Sequence, residues 1–199
     1  MSDKQKKLIV ATKNKGKLKE IREILDGVEV IGLCDLPLSL DIVEDGSTFE
    51  ENALKKAEVL MRELSAPVLA DDSGLEVDAL GGRPGVFSAR YAGENASDED
   101  NMNKLLDELG NTPTDQRGAR FVCVMCLVTP DGKHYTARGE TKGRILNAPQ
   151  GENGFGYDPL FYNEEYAKTF AQLSSDEKNE LSHRGRALRQ MHELLKQVL

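Results

Sequence analysis

The sequence predicts an α/β fold: a mixed, elongated central sheet flanked by helices, drawn into two lobes with the active site in the cleft between them. Three observations carry this. Short apolar runs alternate with stretches of helical periodicity through the first half of the chain, the pattern of strand and helix laid down in turn. Two long strand-like runs in the second half flank Pro130-Asp131-Gly132, which is a hairpin signal. No repeat, low-complexity tract or linker divides residues 1–199, so they are expected to form a single α/β domain.

Lys7-Leu-Ile-Val-Ala11 reads as the first strand, and Thr12-Lys-Asn-Lys-Gly16 leads into a helix with Leu18, Ile21, Ile24 and Leu25 on one face. Val28 to Ile31 is a second strand, followed by an acidic irregular segment, Asp41-Ile-Val-Glu-Asp-Gly-Ser47. Thr48-Phe-Glu-Glu51 has the form of a capping box, and Ala53, Leu54, Ala57, Leu60, Met61 and Leu64 then keep the helical period. Val68-Leu-Ala70 is too short for a helix and is bounded by Pro67 and by Asp-Ser-Gly, so it is a core strand running into a loop. After the glycine-rich Gly81-Gly-Arg-Pro-Gly85, Ser97 and Asp100 cap a helix that buries Met102, Leu105, Leu106 and Leu109 and ends at Gly110. Arg120 to Thr129 and Lys133 to Ile145 form the hairpin, and the final helix carries Leu188, Met191, Leu195 and Val198.

With 39% hydrophobic and 30% charged residues, the composition is that of a globular chain able to bury a core. The N-terminus has no apolar stretch long enough for a signal peptide and no run approaches the length of a membrane span, so a cytoplasmic protein without a membrane partner is expected. Residues 1–22 hold eight Lys or Arg against Asp3 and Glu20, a local charge of +6 within a total of −8. A basic end on an acidic body argues against a nucleic-acid surface and suits a local anion site. Cys34, Cys123 and Cys126 make no disulfide framework. Cys123-Val-Met-Cys126 lies in a strand, where residues three apart face opposite sides, so neither redox nor zinc chemistry is expected of it.

Five segments carry chemistry. Thr12-Lys-Asn-Lys-Gly-Lys17 follows a strand and opens a helix, a place where backbone N–H groups and lysines can hold phosphate. It lacks the first glycine of a P-loop, and Leu18 stands where that motif needs Ser or Thr. Polyphosphate brings a need for magnesium on hard oxygen ligands, for which Glu44, Asp45, Asp71 and Asp72 are candidates. Successive strand residues point to opposite sides, so of the Asp71-Asp72 pair one is expected to serve a site and the other the scaffold. In Asn153-Gly-Phe-Gly-Tyr-Asp-Pro159 two glycines bracket Phe155, and Phe155 and Tyr157 offer flat faces on which a base could stack. Leu181-Ser-His-Arg-Gly185, with Lys178 nearby, gathers hydrogen-bond donors.

Taken together, these segments resemble the inosine triphosphate pyrophosphatase family, the Ham1-like noncanonical purine NTP pyrophosphatases. The matching pieces are Thr12 to Lys17, Thr48-Phe-Glu-Glu-Asn-Ala53, Ala70-Asp-Asp-Ser-Gly-Leu75, Gly81 to Gly85 with Ser88-Ala-Arg-Tyr-Ala-Gly93, Gly154-Phe-Gly-Tyr-Asp-Pro159 and Ser182-His-Arg-Gly185. The resemblance implies hydrolysis of ITP, dITP and XTP between the α and β phosphates, with Mg2+, by a homodimer. By the same resemblance Asp72 is the catalytic acceptor and a metal ligand with Glu44, and Ser73 touches substrate. Thr12, Lys13, Asn14, Lys15, Gly16 and Lys17 become the phosphate loop. Phe155, Gly156, Tyr157 and Asp158 become the base platform, and Lys178, His183 and Arg184 the remaining base contacts. Lys13 departs from the glycine many members carry there. Two alternatives compete: an aspartyl-phosphate phosphatase, disfavoured by the absence of D-x-D near the first strand, and a nucleotide-binding regulatory module without turnover.

Overall fold

The structure, a computed structural model, describes residues 6–38, 40 and 42–198; the residues before Lys6 and Asp41 of the acidic segment lie outside them. The opening strand β1 (Lys6–Val10) runs parallel to β2 (Val28–Gly32), with Ile9 opposite Ile31. Parallel neighbours need a crossover, and α1 (Lys15–Ile24) supplies it. Asn14 caps α1 by accepting the Lys17 N–H at 3.0 Å, so the helix already includes Gly16 and Lys17 in its first turn.

The next helix, α2 (Phe49–Leu64), begins at the predicted cap, where Thr48 Oγ1 accepts the Glu51 N–H at 3.1 Å. The return half of the box is displaced by one residue: the Glu51 carboxylate accepts from the N–H and hydroxyl of Ser47. A larger difference concerns β3 (Val68–Val77). The expected end at Ala70 does not occur, and the strand continues through Asp71-Asp72-Ser73-Gly74 to Val77. Carboxylates force a strand to the surface only when they lack partners, and both have partners inside the protein.

Ser97 and Asp100 form the capping box that opens α3 (Asp98–Leu109), with Gly110 at its end. The hairpin strands are β4 (Gly118–Val128) and β5 (His134–Ile145), joined where Gly132 takes a positive φ of 82°. Two short strands, β6 (Phe161–Asn163) and β7 (Lys168–Thr169), follow, then α4 (Ser175–Leu181) and α5 (His183–Val198). One seven-stranded sheet results, in the order β2-β1-β3-β4-β5-β6-β7. It is mixed as predicted: β1 pairs in parallel with β2 and β3, while β6 pairs antiparallel with β5 and β7.

The chain gathers into two compact units. The first comprises residues 1–72, 123–139 and 184–199, and packs α1 and α5 on β1, β3 and the second half of β4, with Leu8, Ile21, Leu69, Met125, Leu188 and Met191 in its core. The second comprises residues 73–122 and 140–183, and centres on Leu75, Leu105, Phe121, Tyr157, Phe161 and Phe170. Among the described residues, no helix is long and apolar enough to cross a membrane.

Candidate active site

Four carboxylates and three cations meet in the first unit. Asp71 is 1% exposed and sits 2.9 Å from Lys17 Nζ and 3.5 Å from an Arg184 nitrogen. Arg184, 1% exposed at the start of α5, also donates to the Glu20 carboxylate of α1. The neighbouring Asp72 has a different set of partners, as strand alternation requires. One of its oxygens accepts from Asn52 Nδ2 at 3.0 Å and the other lies 3.4 Å from Lys56 Nζ, which also donates to Glu44 at 2.7 Å.

Environment separates the two aspartates. Burial alone would push Asp71 upward, but Lys17, Arg184 and Lys56 outweigh it and hold the carboxyl well below the usual aspartate range. For Asp72 burial dominates and pushes the carboxyl up; Lys56 and Lys17 pull against it, and Glu44 adds to it. Lys56 shows the opposite balance. Burial works against its charge, yet Asp72, Asp71 and Glu44 together raise its pKa.

In the predicted phosphate loop, Thr12 is buried and its hydroxyl accepts the Asn14 N–H at 3.1 Å. Lys13, Asn14 and Lys15 are exposed, Gly16 is half-buried, and Lys17 reaches the buried Asp71 carboxylate. Ser73, the first residue of the second unit, is half-buried.

The second unit brings together the predicted base platform. Gly154 and Gly156 take positive φ values of 79° and 62°, and a Cβ on Gly154 would strike the Asp158 carboxylate. That carboxylate accepts from the Phe155 N–H at 2.9 Å and from Lys178 Nζ at 2.6 Å, while Lys178 lies 4.8 Å from the centre of the Phe155 ring. The Tyr157 ring is buried and its hydroxyl donates to the Ser88 carbonyl at 2.8 Å. His183 is stacked on Phe121 with centroids 4.7 Å apart.

Arg184 is placed differently from the other predicted base contacts. Lys178 and His183 belong to the aromatic group, whereas Arg184 pairs with Glu20 and lies 3.5 Å from Asp71. Sequence reasoning also passed over Glu20, Asn52 and Lys56. A signal for the last two was present: they fall among Phe49, Ala53, Ala57 and Leu60 on the buried face of α2, and polar residues inside an apolar stripe need buried partners.

The class this defines is an α/β protein with a buried carboxylate–lysine centre at a strand middle and an aromatic loop stitched by a second ion pair. Comparison with known proteins then gives the family. The Ham1 family model matches residues 8–194, and the chain belongs to that family. It is 56% identical over 184 residues to a dITP/XTP pyrophosphatase of Geobacter sulfurreducens, with 92% of each chain covered. It is 52% identical to the dITP/XTP pyrophosphatase of Bacillus cereus, covering 96% of this chain and 95% of the relative. Among solved structures, the Ham1 protein of Staphylococcus aureus superposes with a TM-score of 0.87 at 46% identity, covering 98% of this chain and all of the other.

Proposed function

We propose that this protein is a nucleoside triphosphate pyrophosphatase that hydrolyses noncanonical purine nucleotides, ITP, dITP and XTP, to the monophosphate and pyrophosphate. Relatives of this name at over 50% identity across nearly the whole chain support the reaction. The observation that carries the division of labour is the split Asp71-Asp72 pair: Asp71 is locked between cations, while Asp72 faces Lys56 and Glu44 with its carboxyl raised.

Asp72 is the group that takes a proton. A general base works best when its pKa lies nearer the operating pH, and burial moves Asp72 in that direction. It orients a water toward the α phosphorus and accepts the water's proton as the new P–O bond forms and the bond to the pyrophosphate leaving group breaks. Lys17 and Lys56 oppose the negative charge of the phosphates, with Thr12 to Gly16 forming the loop around them. Asn52 holds the second oxygen of Asp72 and fixes the direction of the first. On the base side, Phe155 to Asp158 form the platform, with Lys178 and His183 beside it. Ser73 contacts substrate. Arg184 is the third base contact of this reading, its guanidinium anchored by Glu20 and Asp71.

Magnesium fits the donor set. Among the described residues there is no cluster of three or more candidate ligands, but Glu44 and Asp72 converge on one ammonium, and two carboxylates completed by substrate phosphates is the arrangement this ion favours. Bound there, Mg2+ would withdraw charge from the phosphates. The homodimer implied by the family resemblance, in a cytoplasmic setting, completes the reading.

The test is incubation with magnesium and a panel of nucleoside triphosphates, assaying pyrophosphate and orthophosphate separately. Pyrophosphate from ITP, dITP and XTP in preference to ATP and GTP is expected. Orthophosphate would support the aspartyl-phosphate alternative, and binding without turnover would support the regulatory one.

A further inference from the structure

We infer that Asp98 is a positioning residue for base recognition, holding the turn Phe155–Asp158 in place from the start of α3; the inference rests on the pyrophosphatase reading above. The residue sits in a helix first turn, yet the helix does not need it as a cap. Ser97 accepts the Asp100 N–H, and the Asp100 carboxylate accepts in return from Ser97. The Asp98 carboxylate is instead spent on a partner 58 residues away, accepting the Gly156 N–H at 2.7 Å. A carboxylate accepting a backbone N–H makes a charge-assisted hydrogen bond, stronger than a neutral one.

The position of that contact matters because each residue of the turn is held by a bond of its own. Phe155 is tied through its N–H to Asp158, Asp158 to Lys178 of α4, and Tyr157 through its hydroxyl to the Ser88 carbonyl. Gly156 has no side chain and a positive φ, so its backbone N–H is the handle available, and Asp98 takes it. The same helix turn secures the other end of the arrangement. Asn101, three residues on, accepts the Ala92 N–H at 2.8 Å and donates to the Ala89 carbonyl, holding the segment Gly85–Arg90 that presents Ser88 to Tyr157. One turn of α3 therefore registers both the platform and its anchor. Loss of the Asp98 bond frees Gly156, between Phe155 and Tyr157, while the bonds that hold the phosphate-side residues stay intact.

The experiment compares wild type, Asp98→Ala and Asp98→Asn in steady-state hydrolysis of ITP, with inorganic pyrophosphate as a competitive probe of the phosphate side. One charge-assisted hydrogen bond at a partly solvated site corresponds to a change of about five- to tenfold. Asp98→Ala should raise KM for ITP by that factor with kcat within about twofold and the inhibition constant of pyrophosphate unchanged. Asp98→Asn keeps an acceptor oxygen in place and should recover most of the loss. Amide hydrogen exchange gives a readout independent of turnover: Gly156 should exchange about five to ten times faster in Asp98→Ala, with β4 unchanged. Failure of wild type to release pyrophosphate from ITP would reject the pyrophosphatase reading while leaving the exchange result to decide the tether. An unchanged KM in an active enzyme, an asparagine variant no better than alanine, or unaltered exchange at Gly156 would overturn the role of Asp98.

Discussion

Two adjacent aspartates on one strand should respond oppositely when each is changed to asparagine. In Asp71→Asn, Lys17 and Arg184 lose a carboxylate that lies 2.9 and 3.5 Å away in a site almost closed to water. Removing one partner of a buried ion pair costs about 3–5 kcal/mol, because the other charge stays behind uncompensated. Arg184 keeps Glu20, which places the expected loss near the lower end, about 3 kcal/mol. For a chain of this length each kcal/mol shifts the melting temperature by about 2–4 °C, so a fall of about 6–12 °C follows. Asp72 is the contrasting case. Its charge is held against burial, Lys56 retains Glu44, and an amide can still meet Asn52, so Asp72→Asn should change stability by less than about 1 kcal/mol. Its turnover should nonetheless fall by at least about a hundredfold, the scale of losing a general base. Thermal and urea unfolding with a chelator present, paired with pyrophosphate release from ITP, measure both quantities. An Asp71→Asn protein melting within 2 °C of wild type, or an Asp72→Asn protein that is the less stable of the two, would refute the assignment.

Lys56→Met leaves Glu44 and Asp72 facing each other without their shared ammonium, so the variant should lose about 3 kcal/mol without metal, and magnesium should raise its melting temperature more than it raises that of wild type. Replacing both Cys123 and Cys126 by Ala should leave turnover unchanged, and on the native protein iodoacetamide should label exposed Cys34 first, since the other two are buried and burial pushes the Cys126 thiol up to about 11. Glu108 gives a pH signature. The Tyr91 hydroxyl, then Arg83 and Lys104, lower its carboxyl against the opposing effect of burial, so its contribution is present above the ordinary value of 4.5 and is lost as pH falls through the lowered one. The stability gap between wild type and Glu108→Gln, from urea titrations, should be largest near neutrality and shrink as the pH is taken below about 4.

Long periodic segments made most of the fold legible. The buried stripes of α1, α2, α3 and α5 and the hairpin of β4 and β5 follow directly from spacing and turn chemistry. The strands β6 and β7 were not legible, because three and two residues are too few to show alternation. The length of β3 was not legible for a different reason: Asp71-Asp72-Ser73-Gly74 has the composition of a turn, and distant partners, Lys17, Arg184, Asn52 and Lys56, hold its carboxylates in the interior. The same long-range dependence hid Glu20, whose charge looks solvated in sequence and is spent on a residue at the other end of the chain.

The way the two units share the chain also sets an order of assembly. The core of the first unit takes Leu8 and Ile21 from β1 and α1 but Leu188 and Met191 from α5, so on the ribosome its first half must wait for its last helix. At about 5–20 residues per second, that wait is on the order of ten seconds or more. The residues that close the second core, Leu75 to Leu181, emerge before that helix does. During the interval the apolar faces of β1, α1 and β2 lack their cover, so the opening third of the chain is the part most exposed to chaperone capture and to aggregation with neighbouring nascent chains, although Leu8, Ile21 and Val30 are buried in the finished protein.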